Sequence, residues 1–314
     1  MAGITDKAYR ITLSELGADV VITELVSATA LSRGSKRTKE IMSIDSKEKN
    51  PGVQIFGCDL DEMLSISKHA ESIGAKFVDI NMGCPVKKVI KSGAGAAMLK
   101  NPEANKDLFH HLSSNLNIPV SIKIRTGWHT DTVTANKMLE TAHHEGIKWL
   151  CIHGRSREEG YKGNIHWNLI KELKNSNSLP IIGNGDLSTI QDTFSVLKNQ
   201  YCDHVMIGRK ILSDPYFFLR LKNLEAPDRN YHHFIHNFFQ NVIQHTHPKV
   251  QCTQLRKIFI YLSFGWQNHS RFRTDMYQCE DSQEKILKLS LDFFERNSLE
   301  PSYTYQPFLR GGHG

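Results

Sequence analysis

The chain is poor in cysteine pairs: none of its six cysteines, Cys58, Cys84, Cys151, Cys202, Cys252 and Cys279, stands in a C-x-x-C spacing. That excludes a disulfide framework and the common zinc and iron–sulfur sites, so the thiols are expected reduced and no metal is expected. Long apolar runs are lacking too. Nothing approaches the roughly 18 consecutive apolar residues of a membrane helix, so no membrane association is expected. The opening residues MAGITDKAYR lack the charged-then-apolar pattern of an export signal, which makes a cytoplasmic protein the expectation. No G-x-G-x-x-G follows the first strand-like run, which counts against a Rossmann sheet. Acidic residues are absent from 246–274, whereas Lys249, Arg256, Lys257, Arg271 and Arg273 all lie there. With a net charge of only +6, this local imbalance points to an acidic or nucleic-acid partner more than the total does.

What is present is a repeated unit. Seven β-rich runs, ADVVITEL (18–25), GVQIFG (52–57), FVDINMG (77–83), PVSIKIRTG (119–127), WLCIHGR (149–155), PIIGNGD (180–186) and HVMIGR (204–209), alternate with helical patterns. The runs are continuous and apolar, as parallel strands covered by crossover helices require. Reactive residue types sit at or just past many strand ends: Gln54, Asn81 with Cys84, Lys123 with Arg125, His153 with Arg155, Asn184 with Asp186, and Gly208 with Arg209. A (β/α)8 TIM barrel delivers every such loop to one face, so the barrel is chosen over an open sheet. It needs eight strands and seven are legible, so the first strand, expected before a helix at 6–16, is missing. After residue 227 the pattern turns all-helical, predicting a small C-terminal helical bundle at 228–300 and a disordered tail at 301–314.

The loops carry chemistry. GNGD (183–186) and IGR (207–209), the last two strand ends, suit a phosphate, since glycine backbones approach its oxygens and Arg209 supplies charge. Lys123, on a parallel strand, calls for an anion or a polarised oxygen. Gln54, an amide among apolar neighbours, can pair with a planar heterocycle. Ring plus phosphate is what flavin mononucleotide (FMN) offers. Cys84 lies past a strand end, before Pro85 and near Lys87, Lys88 and Lys91, an exposed and electropositive place that suits a nucleophile or a general acid.

MAGITD, GVQIFG, DINMGCPVKKV, SIKIRTGW, IHGRSR, IIGNGD and VMIGR resemble, in order and spacing, the motifs of bacterial tRNA-dihydrouridine synthases, most closely the B-type subfamily. The resemblance implies an FMN-binding barrel at 1–227, a tRNA-binding helical domain at 228–300, and NADPH-driven reduction of the 5,6 double bond of tRNA uridines. It implies that Met1, Ala2, Gln54, Lys123 and His153 contact the flavin, and that Asn184, Gly185, Asp186, Gly208 and Arg209 surround its phosphate. Asn81 would meet the uracil, Cys84 would be the proton donor, and Arg155, Arg256 and Lys257 would contact RNA. LRKIFIYLSFGW resembles the family's RNA-binding helix, except that Ile258 stands where a histidine is usual. A monomer is expected. Two other readings stay open: a tRNA-binding protein with little or no catalysis, or an FMN barrel reducing a small pyrimidine or enone.

Overall fold

The computed structural model describes residues 1–131, 133–226 and 231–298. The expected domain boundary at 227 and the expected tail at 301–314 lie outside the described residues.

All seven β-rich runs form strands, and every pairing is parallel. Helix α1 (Lys7–Glu15) comes first, capped by Asp6, whose carboxylate accepts the Tyr9 N–H at 2.9 Å. The first run splits into β1 (Val21–Ile22) and β2 (Val26–Ser27). After the short helices α2 (Ala28–Ser32) and α3 (Lys36–Met42) comes β3 (Pro51–Phe56), with which both pieces pair. Between the pieces, the Thr23 hydroxyl accepts the Gln54 N–H at 3.0 Å and so takes the place of a ladder carbonyl. Then follow α4 (Leu60–Ser72), β4 (Phe77–Asn81), α5 (Lys87–Lys91), α6 (Lys106–Asn115) and β5 (Val120–Arg125). The alternation continues through α7 (Ala135–His144), β6 (Leu150–His153), α8 (Trp167–Asn175), β7 (Ile181–Asn184), α9 (Ile190–Lys198) and β8 (His204–Met206). Val53, Ile80, Ile122, Ile152 and Ile181 are fully buried, which explains why the runs read as continuously apolar.

The strands neighbour one another in chain order. A doubly wound sheet reverses its order at a switch point, whereas an unreversed order is the wall of a barrel. Curling brings the sheet's ends together. α10 (Lys210–Ser213) and α11 (Phe217–Leu221) follow β8, and Lys222 beyond them bonds Asp19, before β1, at 2.6 Å. The Tyr9 hydroxyl of α1 donates to the Ile211 carbonyl at 3.0 Å. Among the described residues no strand joins β8 to β1; α1 spans the interval, so the two edges are linked through a helix.

The C-terminal helices α12 (His232–His245), α13 (Pro248–Leu262), α14 (His269–Gln278) and α15 (Gln283–Arg296) form a second, aromatic core. Phe272 stacks on Phe293 at 4.1 Å, and Trp266 meets Phe294 edge-on at 4.9 Å. This region docks on α1: Tyr9 meets Phe238 edge-on at 5.7 Å, and the Asn241 amide donates to the Thr12 hydroxyl at 3.0 Å.

Candidate active site

Parallel strands in register bring five of the expected residues, Gln54, Asn81, Lys123, His153 and Asn184, to one end of the barrel. The ladders set Gln54 opposite Asp79, Asn81 opposite Lys123, and His153 opposite Asn184. Asn184 is the hub: its carbonyl oxygen accepts from Lys123 Nζ at 3.1 Å and lies 3.0 Å from His153 Nδ1, while its amide donates to the Met206 carbonyl at 2.9 Å. Because Lys123 can only donate and the Met206 carbonyl can only accept, the amide has one orientation. His153 Nδ1 therefore carries the proton, and Nε2 is an acceptor, buried and without a hydrogen-bond partner among the described residues. Burial, followed by the charges of Lys123 and Arg125, drives the His153 pKa down to about 2, so the ring stays neutral.

The GNGD turn after β7 has a backbone that favours glycine. Gly185 has φ +148°, and a Cβ there would lie 2.5 Å from Ile165. The turn aims Asp186 at two arginines, Arg155 and Arg209, each of which bonds one carboxylate oxygen. One nitrogen of each guanidinium, Nη1, is buried without a partner among the described residues. A Cβ on Gly208 would meet nothing within 4 Å, so backbone beside Arg209 is approachable. Tyr161 lies between the guanidiniums of Arg209, at 5.3 Å, and Arg125, at 5.5 Å. Arg125 is itself anchored by the Gly83, Ser156 and Gly160 carbonyls, all at 2.9 Å. Lys123, Arg125, Arg155 and Arg209 thus outnumber Asp186 and the buried Asp79, leaving an excess of positive charge for an anion.

Cys84 follows β4 in a loop pinned at both sides. Its N–H donates to the Asn81 side-chain oxygen at 2.9 Å, and its carbonyl accepts from Ala96 N at 3.1 Å. The thiol is half-buried rather than exposed, which corrects the sequence reading. Burial raises its pKa, against the lowering effects of the Val86 N–H and Arg125. Lys87, Lys88 and Lys91 are exposed on α5, so the cation that acts on the thiol is Arg125. A thiol held protonated suits an acid better than a nucleophile.

Met1 and Ala2 belong to a turn in which the Met1 carbonyl accepts from the N–H groups of Ile4 and Thr5, both at 3.1 Å. The Gly3 N–H donates to the Glu24 carboxylate, in the stretch between β1 and β2, which places the turn beside the first strands. Each of the three RNA candidates makes hydrogen bonds within the protein. Arg256, with 14% of its side chain exposed, bonds the carbonyls of Met276 at 3.0 Å and Cys279 at 2.6 Å and pairs with Asp281. It fastens the end of α14. Lys257 bonds the Gly3 carbonyl at 2.7 Å, and Arg155, buried, braces the Gly163 carbonyl at 2.6 Å. Lys249, Arg271 and Arg273 are the exposed cations of the acid-free segment. The sequence offers no signal for Asp79, and it marks Arg125 as a strand-end cation without assigning it to the site. The period of two along β5, which puts Arg125 on the face of Lys123, was the available signal.

Among the described residues no cluster of His, Cys, Asp and Glu could hold a metal, and no helix is long and apolar enough to cross a membrane. The family described as dihydrouridine synthase matches residues 1–298. A tRNA-dihydrouridine synthase B of Pasteurella multocida is 33% identical over 92% of this chain and 90% of its own length. One from Shewanella oneidensis is 34% identical over 71% of this chain and 69% of its own, and a probable tRNA-dihydrouridine synthase of Rickettsia prowazekii is 27% identical over 95% and 94%. Among solved structures, a 2-naphthoyl-CoA reductase complex shares the fold at TM-score 0.54 and 10% identity, over 70% of this chain and 47% of that one. With its motifs standing in parallel register at one end of the barrel and the family spanning nearly its full length, the chain belongs to the dihydrouridine synthase family.

Proposed function

We propose that this protein reduces the 5,6 double bond of particular uridines in tRNA to dihydrouridine, with FMN at the barrel mouth and NADPH as reductant. The observation that carries the reading is the pairing of two features at one barrel end: a set of buried polar atoms without partners, and a protonated thiol beside a cation. The polar set fits a flavin. His153 Nε2 is an acceptor for an imide N–H, Lys123 and Gln54 offer N–H groups to ring heteroatoms, and Arg209 Nη1 with the open backbone at Gly208 suits the phosphate. In this reading Met1 and Ala2 border the ring, and Asn184, Gly185 and Asp186 shape the phosphate end.

When bound, FMN supplies the hydride that adds to C6 of the uracil. The Cys84 thiol gives its proton to C5, so the two additions saturate the bond, and the sulfur is left as a thiolate. Arg125 and the Val86 N–H stabilise that thiolate until solvent returns the proton. Asn81 keeps one amide hydrogen for the base after donating the other to Gln54. The target must leave the stacked tRNA to reach this depth. The exposed Arg271, Arg273 and Lys249 and the half-buried Lys257 track RNA phosphates, and Arg155 and Arg256 support the surface from within. The enzyme acts in the cytoplasm as a monomer, with residues up to 227 catalytic and 228–300 holding tRNA.

Incubation with NADPH and tRNA lacking the modification, followed by nucleoside mass spectrometry, is expected to yield dihydrouridine. An FMN-loaded protein that forms none overturns the reading. Cys84→Ala is expected to keep flavin reduction by NADPH and lose most product, by roughly 10²-fold or more; unchanged turnover returns Cys84 to a packing role.

A further inference from the structure

A chain of hydrogen bonds runs from the Cys84 loop into the barrel, and all its donors point one way. The N–H groups of Cys84 and Gly83 donate to Asn81 Oδ1 at 2.9 and 3.3 Å. Asn81 Nδ2 donates to Gln54 Oε1 at 3.0 Å, and Gln54 Nε2 donates to Asp79 Oδ2 at 2.8 Å. The other carboxylate oxygen, Oδ1, accepts from the Ser121 hydroxyl at 2.7 Å. Asp79 is 2% exposed and Asn81 9%, so water has little access to replace a lost partner.

The two amides in the middle have no polarity of their own, since turning either by 180° exchanges its donor and acceptor. The ends do have polarity: a backbone N–H can only donate, and a carboxylate such as Asp79 offers oxygens that only accept. Burial raises the Asp79 carboxyl, while the bonds from Gln54 and Ser121 and the charge of Lys123 oppose that rise. Removing the acceptor end frees Gln54 to turn and present N–H groups to Asn81. Asn81 Nδ2, itself a donor, then has no acceptor, and its grip on the Cys84 N–H weakens.

We propose that Asp79 is a positioning residue: as the acceptor end of this chain it sets the orientation of Gln54 and Asn81 and thereby holds the Cys84 loop. Its consequence for turnover rests on Cys84 acting as the proton donor; its consequence for the loop does not. Asp79 touches neither the thiol nor the loop, so its effect passes through Asn81.

The test is the alkylation rate of Cys84 by iodoacetamide in the full-length protein, resolved from the other five cysteines by peptide mass spectrometry. Asp79→Leu, which keeps the forked shape of the side chain but has no acceptor, and Asn81→Ala are each expected to speed alkylation roughly 5- to 10-fold, the worth of about one buried hydrogen bond. The double variant is expected to match Asn81→Ala alone, because the second change then has nothing left to act through. Unchanged alkylation in Asp79→Leu overturns the proposal, as do additive effects, which mean general loosening. Should Asp79→Leu fail to fold, Gln54→Leu breaks the same chain one link further on and is judged by the same cycle. Product formation at saturating tRNA is expected to fall in Asp79→Leu while flavin reduction by NADPH holds. If alkylation responds as stated but product formation does not, the positioning claim stands and the assignment of Cys84 as acid falls.

Discussion

At the scale of single residues the site is governed by what burial does to each titratable group. His153 is the strongest case, since folding keeps neutral a ring that the unfolded chain protonates. With an ordinary value of 6.5 and a folded value of about 2, the unfolded state binds the additional proton below pH 6.5. The stability present above that pH is therefore lost as pH falls toward about 2, at up to ~1.4 kcal/mol per pH unit. Asp6 acts in the opposite sense: its carboxyl, raised from 3.8 to about 6, holds its proton in the folded state and offsets part of the loss between those values. Denaturant midpoints measured from neutral pH downward should fall less steeply in His153→Gln than in the parent; parallel acid limbs would assign the sensitivity elsewhere. Cys84 shows what sequence leaves out. Its place after a strand and before a proline was legible, but its solvent exposure depended on Gly95 and Ala96, which fold back over its carbonyl.

At the scale of elements, two contacts decide whether the loops stand where the chemistry needs them. Arg10 of α1 bonds Glu48 at 2.6 Å and the carbonyls of Thr5 at 2.8 Å and Ser43 at 2.7 Å, tying the helix to the segment that enters β3. Both partners are almost wholly buried, so Glu48→Ala leaves an uncompensated charge and is expected to cost ~3–5 kcal/mol, read as a lower urea midpoint. Gly185→Ala drives a Cβ into Ile165 and strains a positive φ; a loss of ~1–3 kcal/mol and weaker FMN retention are expected by thermal melting and fluorescence titration. The β/α units were legible because strands buried on both faces are apolar throughout. The break at Thr23 was not, because it depends on a hydroxyl meeting an N–H from a strand 31 residues away.

At the scale of the whole molecule, the helical region docks on the barrel through α1 and turns part of its basic segment inward. Arg256→Ala is accordingly expected to lower stability and leave the salt dependence of tRNA binding unchanged. Arg273→Ala, at an exposed position, is expected to weaken tRNA binding and reduce the slope of log affinity against log salt by ~0.7–0.9. Binding titrations at several salt concentrations separate the two, and a changed slope in Arg256→Ala would contradict the buried arrangement. By itself the sequence determined the parallel repeat, the strand-end positions of the polar residues and the acid-free character of 246–274, because periodicity and composition are local properties. Only the tertiary structure decided which cations are held inside, that the Cys84 thiol is half-buried, and that Asp79 ends a chain leading to it. Those outcomes depend on which carbonyls, amides and carboxylates converge from distant elements, and a list of residue types does not contain the distances between them.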